Sequence, residues 1–160
     1  MPAHLLTLME SPLEFEAVAG FPAADGLRAM FMSDDVSPAW LATLRASKDA
    51  DPWQHGFFLL DRSNSVAIGS AGFRGPVDDA GMVEIAYGVV PAVENRGLAT
   101  EAAQALVTFA MATNAVHLVR AHTLPTPNAS TRVLTKCGFV RVEELVDPDD
   151  GLVWRWERGR

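Results

Sequence analysis

Three groups of residues have the types and spacing to do chemistry. The first is Glu94-Asn95-Arg96-Gly97-Leu98-Ala99, directly after the strand-like run 83–90 and directly before the helix-like run 100–111. The first turn of a helix leaves its amides unpaired and carries roughly half a positive charge, and a glycine lets a ligand approach the main chain closely. The amides of Arg96, Gly97, Leu98 and Ala99 are therefore expected to converge on a phosphate, and a pyrophosphate anchored there would bring a cofactor with it. The second is Glu84, the only charged residue from Met82 to Val93, which either pairs with a basic partner or serves a site. The third is Asn128-Ala129-Ser130, a polar cluster opening a later helix, where Asn and Ser are also common caps.

A mixed sheet is the frame that would position them. Residues 56–61, 66–74 and 82–90 are apolar runs separated by polar or glycine-bearing turns, the spacing of an antiparallel meander. Residues 100–113 place Ala103, Leu106, Val107, Ala110 and Met111 at helical intervals, and 118–122 reads as a short strand. Residues 128–137 read as a helix with Val133 and Leu134 inward, ended by Gly138 in a left-handed conformation. Residues 139–144 and 152–157 follow as two last strands around Asp147-Pro148-Asp149-Asp150-Gly151. If the pleat is regular, Tyr87 and Glu84 lie on opposite faces and reach one cleft only through a distortion. Tyr87-Gly88 interrupts a β-branched run and marks either a bulge with close ligand approach or a small residue under a helix.

The N-terminal third is harder to read. Residues 4–9 are a short apolar strand candidate, and Ser11-Pro12-Leu13-Glu14 gives the cap, proline and glutamate of a helix starting at Ser11. Residues 20–36 mix Gly20, Pro22, Gly26 and Asp34-Asp35 with the apolar patch 29–32 and receive no assignment. Ser37-Pro38 repeats the helix-start signal, giving a helix over 39–46 with Trp40, Leu41 and Leu44 on one face, toward the substrate side.

Length and apolar content fit one domain, 1–160, with a sizeable core. Thirteen basic against 20 acidic residues, net −7, argue against a nucleic-acid footprint. Cys137 is the only cysteine and reads as a core filler, so no intramolecular disulfide forms and a reducing compartment fits. The start of the chain lacks a basic segment, and no apolar run has membrane-spanning length, so a cytoplasmic, soluble protein is expected. His4, His55, His117 and His122 have no ligand spacing, so no metal site is expected. His55 beside Trp53 could line an acceptor pocket or serve structure, and Trp40, Trp53, Trp154 and Trp156 read as core. Asp34, Asp35, Asp49 and Asp51 attract a basic amine or are simply solvated.

Two segments carry a family likeness: Glu94-Asn95-Arg96-Gly97-Leu98-Ala99-Thr100-Glu101-Ala102 and Asn128-Ala129-Ser130-Thr131-Arg132-Val133-Leu134-Thr135-Lys136-Cys137-Gly138-Phe139. Through them the chain resembles the GNAT acetyltransferase superfamily, in particular the branch of the ribosomal-protein alanine acetyltransferases, over residues 56–144. The resemblance implies an α/β fold, a mixed, mostly antiparallel sheet with flanking helices, that of the acyl-CoA N-acyltransferases, and acetyl-CoA as cosubstrate. It implies cofactor binding by Gly88, Val89, Val90, Arg96, Gly97, Leu98, Ala99, Thr100, Asn128 and Ser130. The family's pyrophosphate pattern is Gln or Arg, two residues, Gly, one residue, then Gly or Ala. This chain keeps Gly97 and Ala99 and departs at Glu94, which is expected to point to solvent while Arg96 supplies the positive charge. The resemblance also implies that the strand ending Gly88-Val89-Val90 splays from its neighbour at a bulge, where the pantetheine arm pairs with its backbone. Glu84 falls near the place where some members carry a general base acting through water. Many members protonate the thiolate with a tyrosine four residues before the Gly-Phe pair, where this chain has Leu134, and Ser130 is the nearest substitute. Asn128 and Ser130 are two apart where the commoner pattern has three. Homodimers are a habit of the family.

The first functional expectation is thus an acetyl-CoA-dependent N-acetyltransferase, moving an acetyl group to a primary amine of a small molecule or protein N-terminus by direct attack. A second is a non-catalytic CoA-binding regulatory module, drawn from Glu94 and Leu134. A third, another nucleotide on a parallel sheet of repeated strand-helix units, conflicts with the consecutive strands of 56–90.

Overall fold

The computed structural model describes residues 2–32, 36, 38–148 and 150–160. Ser33, Asp34, Asp35, Ser37 and Asp149 lie outside the described residues, and with them the cap expected at Ser37 and the acidic pair 34–35.

The first element is a helix, α1 (Pro2–Glu10), where a strand was expected over 4–9. A short apolar run fits either period, and burial decides it: Leu5, Leu8 and Met9 are buried at helical intervals. Ser11 makes no side-chain cap, and Pro12–Glu14 forms a 3-10 turn leading into α2 (Phe15–Ala19). Two short helices went unassigned in the sequence, α3 (Leu27–Phe31) and, beyond α4 (Pro38–Ala46), the four-residue α5 (Pro52–His55). Asp51 caps α5, accepting from the Trp53 amide at 2.9 Å.

The sheet starts as expected with an antiparallel meander, β1 (Phe57–Leu60), β2 (Ala67–Phe73) and β3 (Met82–Val89). Helix α6 (Leu98–Met111) then crosses to β4 (Leu118–Thr123), which pairs parallel to β3. Helix α7 (Ala129–Lys136) leads to the hairpin β5 (Val140–Asp147) and β6 (Gly151–Gly159), and β6 inserts beside β4 to give the order β1-β2-β3-β4-β6-β5. The result is a six-stranded, mostly antiparallel sheet with helices.

The core sets the direction of every site residue. On one face, Ala103, Leu106, Val107 and Ala110 of α6 pack with Leu134 of α7 against Val83, Ile85, Val119 and Ala121 of the central strands. Alternation along β3 therefore turns Glu84 to the opposite face. At the β1–β2 end that face is covered too, by Leu8, Phe15 and Leu27 over Ile68 and Val90. Of the tryptophans, only Trp156 is buried, donating from Nε1 to Thr123 Oγ1 at 3.0 Å. Trp154 is half-buried and packs against the same core cluster, its Nε1 donating to Glu144 and its ring under Arg141.

The pairing of β3 with β4 is short. It covers only Met82–Glu84 against Leu118–Arg120, after which the β4-facing edge of β3 has no strand partner among the described residues. The expected splay is thus present, but without the expected bulge, since β3 stays in register with β2 through Gly69↔Val89. The two strands approach so closely there that a Cβ at Gly69 would stand 2.2 Å from the Gly88 carbonyl oxygen. Gly88 itself lies beneath α3, where a Cβ would meet Met30 Cε at 2.8 Å.

Candidate active site

Two cavities open from the split between β3 and β4. The larger, about 270 Å³, runs along α6 and α7, and the smaller, about 190 Å³, lies over the central strands. Tyr87 and Ser130 line both, so the two meet at those residues.

The larger cavity is the groove expected at the glycine turn. Gly88, Val89, Gly97, Leu98, Ala99, Thr100 and Ser130 line it. Gly97 is the residue before α6 and has φ +82°, a left-handed conformation that glycine takes without strain. No main-chain or side-chain acceptor among the described residues takes the amides of Arg96, Gly97, Leu98, Ala99 or Thr100; the first amide of the helix with a partner is Glu101, bonded to Gly97 O at 3.0 Å. An unoccupied row of donors at a helix start, on the wall of an open groove, fits a phosphate.

The positive charge comes from a different place than expected. Arg96 turns away to Asp61, 3.7 Å from its carboxylate, and is absent from the groove lining. Glu94 is exposed, as expected, and borders the groove. Arg132 and Lys136 line the far wall, one turn apart on α7, a spacing that puts them on one face of the helix and was available in the sequence. Charge reversal of both, Arg132→Glu with Lys136→Glu, is expected to weaken CoA binding about 10- to 100-fold at low salt, by removing two charge-assisted contacts. Titration calorimetry at two ionic strengths reads it, and equal affinity for both proteins at low salt would exclude these side chains from phosphate binding.

Two other expected groove residues have their polar groups committed. Val90 is fully buried, its amide bonded to Ile68 O at 2.8 Å. Asn128 caps α7 in a reciprocal box, accepting from the Thr131 amide at 3.0 Å while its own amide donates to Thr131 Oγ1. Ala129 and Ser130, the next two residues, line the groove. Cys137 is buried under the same wall and donates to Thr100 O at 3.5 Å, which ties the end of α7 to the start of α6. Burial pushes its thiol above the ordinary value and so favours the protonated form, an effect that the Arg158 charge partly offsets.

The smaller cavity is lined by Arg74, Glu84, Tyr87, His122 and Ser130 among others. Glu84 has basic partners, the first of its two alternatives, and it lies in a cavity. Its Oε1 is 3.1 Å from His122 Nδ1 and 3.5 Å from Arg74 Nε. Arg74 also reaches Asp150 at 2.9 Å. Burial by itself would lower the Arg74 guanidinium, and the charges of Asp150 and Glu84 outweigh it, holding it above the ordinary value. Tyr87 shares this cavity with Glu84, against the expectation from a regular pleat. Loss of β4 pairing after Glu84 opens the flank of β3, so residues of both faces border the gap. Burial raises the Tyr87 phenol, with the nearby Cys137 adding to it, and its hydroxyl has no partner among the described residues.

His122 is the residue that sequence reasoning missed. It lies 38 positions from Glu84 on a parallel strand reached through a crossover helix, so no local pattern connects the two. His55, by contrast, is structural: its Nδ1 accepts from the Asp51 amide at 2.9 Å at the start of α5.

A family model described as an acetyltransferase (GNAT) domain matches residues 16–140. The chain belongs to the GNAT acetyltransferases. It is 26% identical over 128 residues to an uncharacterized N-acetyltransferase, YjdG, of Bacillus subtilis (strain 168), covering 80% of this chain and 71% of that one. Among solved structures it is similar to a GNAT-family acetyltransferase from Bacillus anthracis, with a TM-score of 0.57, 22% identity and 64% of each chain covered. Aminoglycoside acetyltransferase AAC(6')-Ib, solved with coenzyme A, matches at a TM-score of 0.54 and 23% identity, over 61% of this chain and 62% of that one. The ribosomal-protein-S5-alanine acetyltransferase of Vibrio fischeri matches at 0.57 and 15%, over 64% and 59%. The chain spans a little under two thirds of the length of these structures, and the likeness concerns the GNAT fold. Among the described residues, no helix is long and apolar enough to cross a membrane.

Proposed function

We propose that this GNAT chain is an acetyl-CoA-dependent N-acetyltransferase that moves an acetyl group to a primary amine by direct attack. The observation that carries the reading is the junction at Tyr87 and Ser130, where a groove with free amide donors meets a cavity holding a carboxylate. The amides of Gly97 to Thr100, with Arg132 and Lys136, hold the pyrophosphate. The main chain of Gly88 and Val89, on the unpaired edge of β3, orients the pantetheine arm toward the split. Acetyl-CoA supplies the activated thioester. Glu84 takes the proton that the acceptor ammonium must lose before it can attack, and Ser130 donates to the sulfur end. No covalent nucleophile is required.

The acceptor is a small molecule or a protein N-terminus. The solved neighbours include enzymes named for a ribosomal-protein alanine, for spermidine and for aminoglycosides, and the ribosomal-protein branch is one of these rather than a preferred one. A single acetyltransferase domain over 1–160, a cytoplasmic location and a homodimer belong to the same reading. The rival, a CoA-binding module without turnover, draws on Glu94 in the groove wall and on Leu134, which is fully buried where many members have a tyrosine. An acetyl-CoA consumption assay decides between them: thiol release with a panel of a polyamine, an aminoglycoside, free amino acids and N-terminal alanyl peptides is expected to rise well above the acceptor-free rate for one class. CoA binding without thiol release from any of them would favour the module.

A further inference from the structure

Glu84 and His122 meet where β3 and β4 part. Glu84 is the last residue of β3 paired with β4, and His122 lies two positions beyond its partner Arg120, already in the diverging stretch. Their contact, 3.1 Å between Oε1 and Nδ1, therefore bridges the apex of the split. The His122 side chain is 10% exposed, and its other ring nitrogen, Nε2, is buried with no partner among the described residues.

That orphan nitrogen restricts the proton arrangement. With the proton on Nδ1, the ring donates to the carboxylate and only a bare acceptor is left unpaired. With the proton on Nε2, a buried donor goes unmatched and Nδ1 opposes an ionised carboxylate with its lone pair, two penalties in place of one. Three cations surround the pair. Arg74 approaches from β2, Arg155 stands opposite His122 on β6, and Arg120 lies two residues along β4. Arg120 and Arg155 are themselves paired with Glu157, leaving Arg74 and His122 as the groups that hold Glu84.

We propose that His122 is a positioning residue for proton removal: its Nδ1–H donates to Oε1 of Glu84, fixing that oxygen and leaving the second carboxylate oxygen for the acceptor. The inference rests on Glu84 as the base of the transferase reading. The acceptor ammonium gives one proton to the free oxygen of Glu84, and the nitrogen lone pair so exposed forms the C–N bond at the thioester carbonyl. The C–S bond breaks, the sulfur leaves with its electron pair, and the second nitrogen proton neutralises it as the thiol. The proton on Glu84 returns to solvent before the next turnover. His122 keeps its own proton throughout.

The first measurement needs no acceptor. Long-range proton–nitrogen NMR on protein with 15N-labelled histidine distinguishes the two tautomers, and His122→Asn assigns the signal among four histidines. The Nδ1–H tautomer is expected for His122, with a nitrogen shift that moves in Glu84→Gln. An Nε2–H tautomer, or a signal indifferent to that substitution, overturns the proposal. The second is kinetic, with spermidine, kanamycin and an N-terminal alanyl peptide as acceptors. His122→Asn places an amide donor near the position of Nδ1 and is expected to keep kcat within about fivefold. His122→Leu, which has no donor, is expected to lose about 10- to 100-fold in kcat with KM for acetyl-CoA unchanged. Equal losses in both variants would assign His122 a packing role only. The readouts separate the two levels: absence of turnover with all acceptors counts against the transferase reading, while the tautomer tests the histidine by itself.

Discussion

Gly97→Trp is expected to raise the dissociation constant for CoA at least about 100-fold, equivalent to roughly 2.7 kcal/mol, with a folded protein as its host. The expectation has two independent sources. A side chain at φ +82° carries left-handed strain of about 1–2 kcal/mol, which the turn must absorb or relieve by moving the amides that follow it. Nothing lies within 4 Å of where a Cβ would sit, so the first carbon of a side chain is accommodated, and the position is on the lining of the phosphate groove. Gly97→Ala separates the sources, because it shares the strain without filling the groove. Calorimetric titration of both variants, with thermal melts alongside, is expected to show similar losses of stability and a much larger loss of affinity for tryptophan. Unchanged affinity in Gly97→Trp would remove the phosphate from this turn, and equal loss in the two variants would place the effect in backbone strain.

That turn was the most legible part of the site because its meaning is local. A glycine between a strand and a long helix fixes where the unpaired amides point, whatever the rest of the chain does. The three strands of the meander were legible for the same reason, each having its own apolar period and its own turn. The side chains that complete the groove were less so. Arg96 is adjacent to the glycine and looked like the natural cation, but it pairs at 3.7 Å with Asp61, the residue after the edge strand β1. Nothing short-range indicates that contact. Arg132 and Lys136 were visible as an i, i+4 pair, yet only the packing of α7 beside α6 turns that face to the groove. Asn128 shows the opposite case: the local cap reading accounts for its contacts, and the cap is what presents Ser130 one residue into the helix. The N-terminal segment was least readable, since His4 to Met9 fits two periods and the five-residue α3 is held by contacts to β2 and β3 rather than by its own propensity.

Glu84→Gln is expected to lower kcat by about 10²- to 10⁴-fold, the range for loss of a positioned proton acceptor, while leaving CoA affinity unchanged because Glu84 is absent from the groove lining. The substitution keeps the shape and an oxygen for the His122 Nδ1–H, but removes the charge that both takes the ammonium proton and draws the cationic acceptor into the cavity. Arg74 then retains its ion pair with Asp150, so the cavity loses one negative charge while keeping its positive one. A higher KM for the amine should accompany the fall in kcat, and the effect on KM alone should shrink with added salt. Stability is a weaker reporter: the Glu84 carboxylate is partly exposed and Arg74 more so, which limits the worth of their pair to the modest scale of surface ion pairs. Steady-state thiol release with varied amine, at two ionic strengths, separates these contributions. If kcat is retained and only the amine KM rises, Glu84 is an electrostatic anchor for the acceptor and the proton leaves by water. If both are retained, the carboxylate belongs to the ion-pair network of the strand apex and the base must be sought elsewhere in the same cavity.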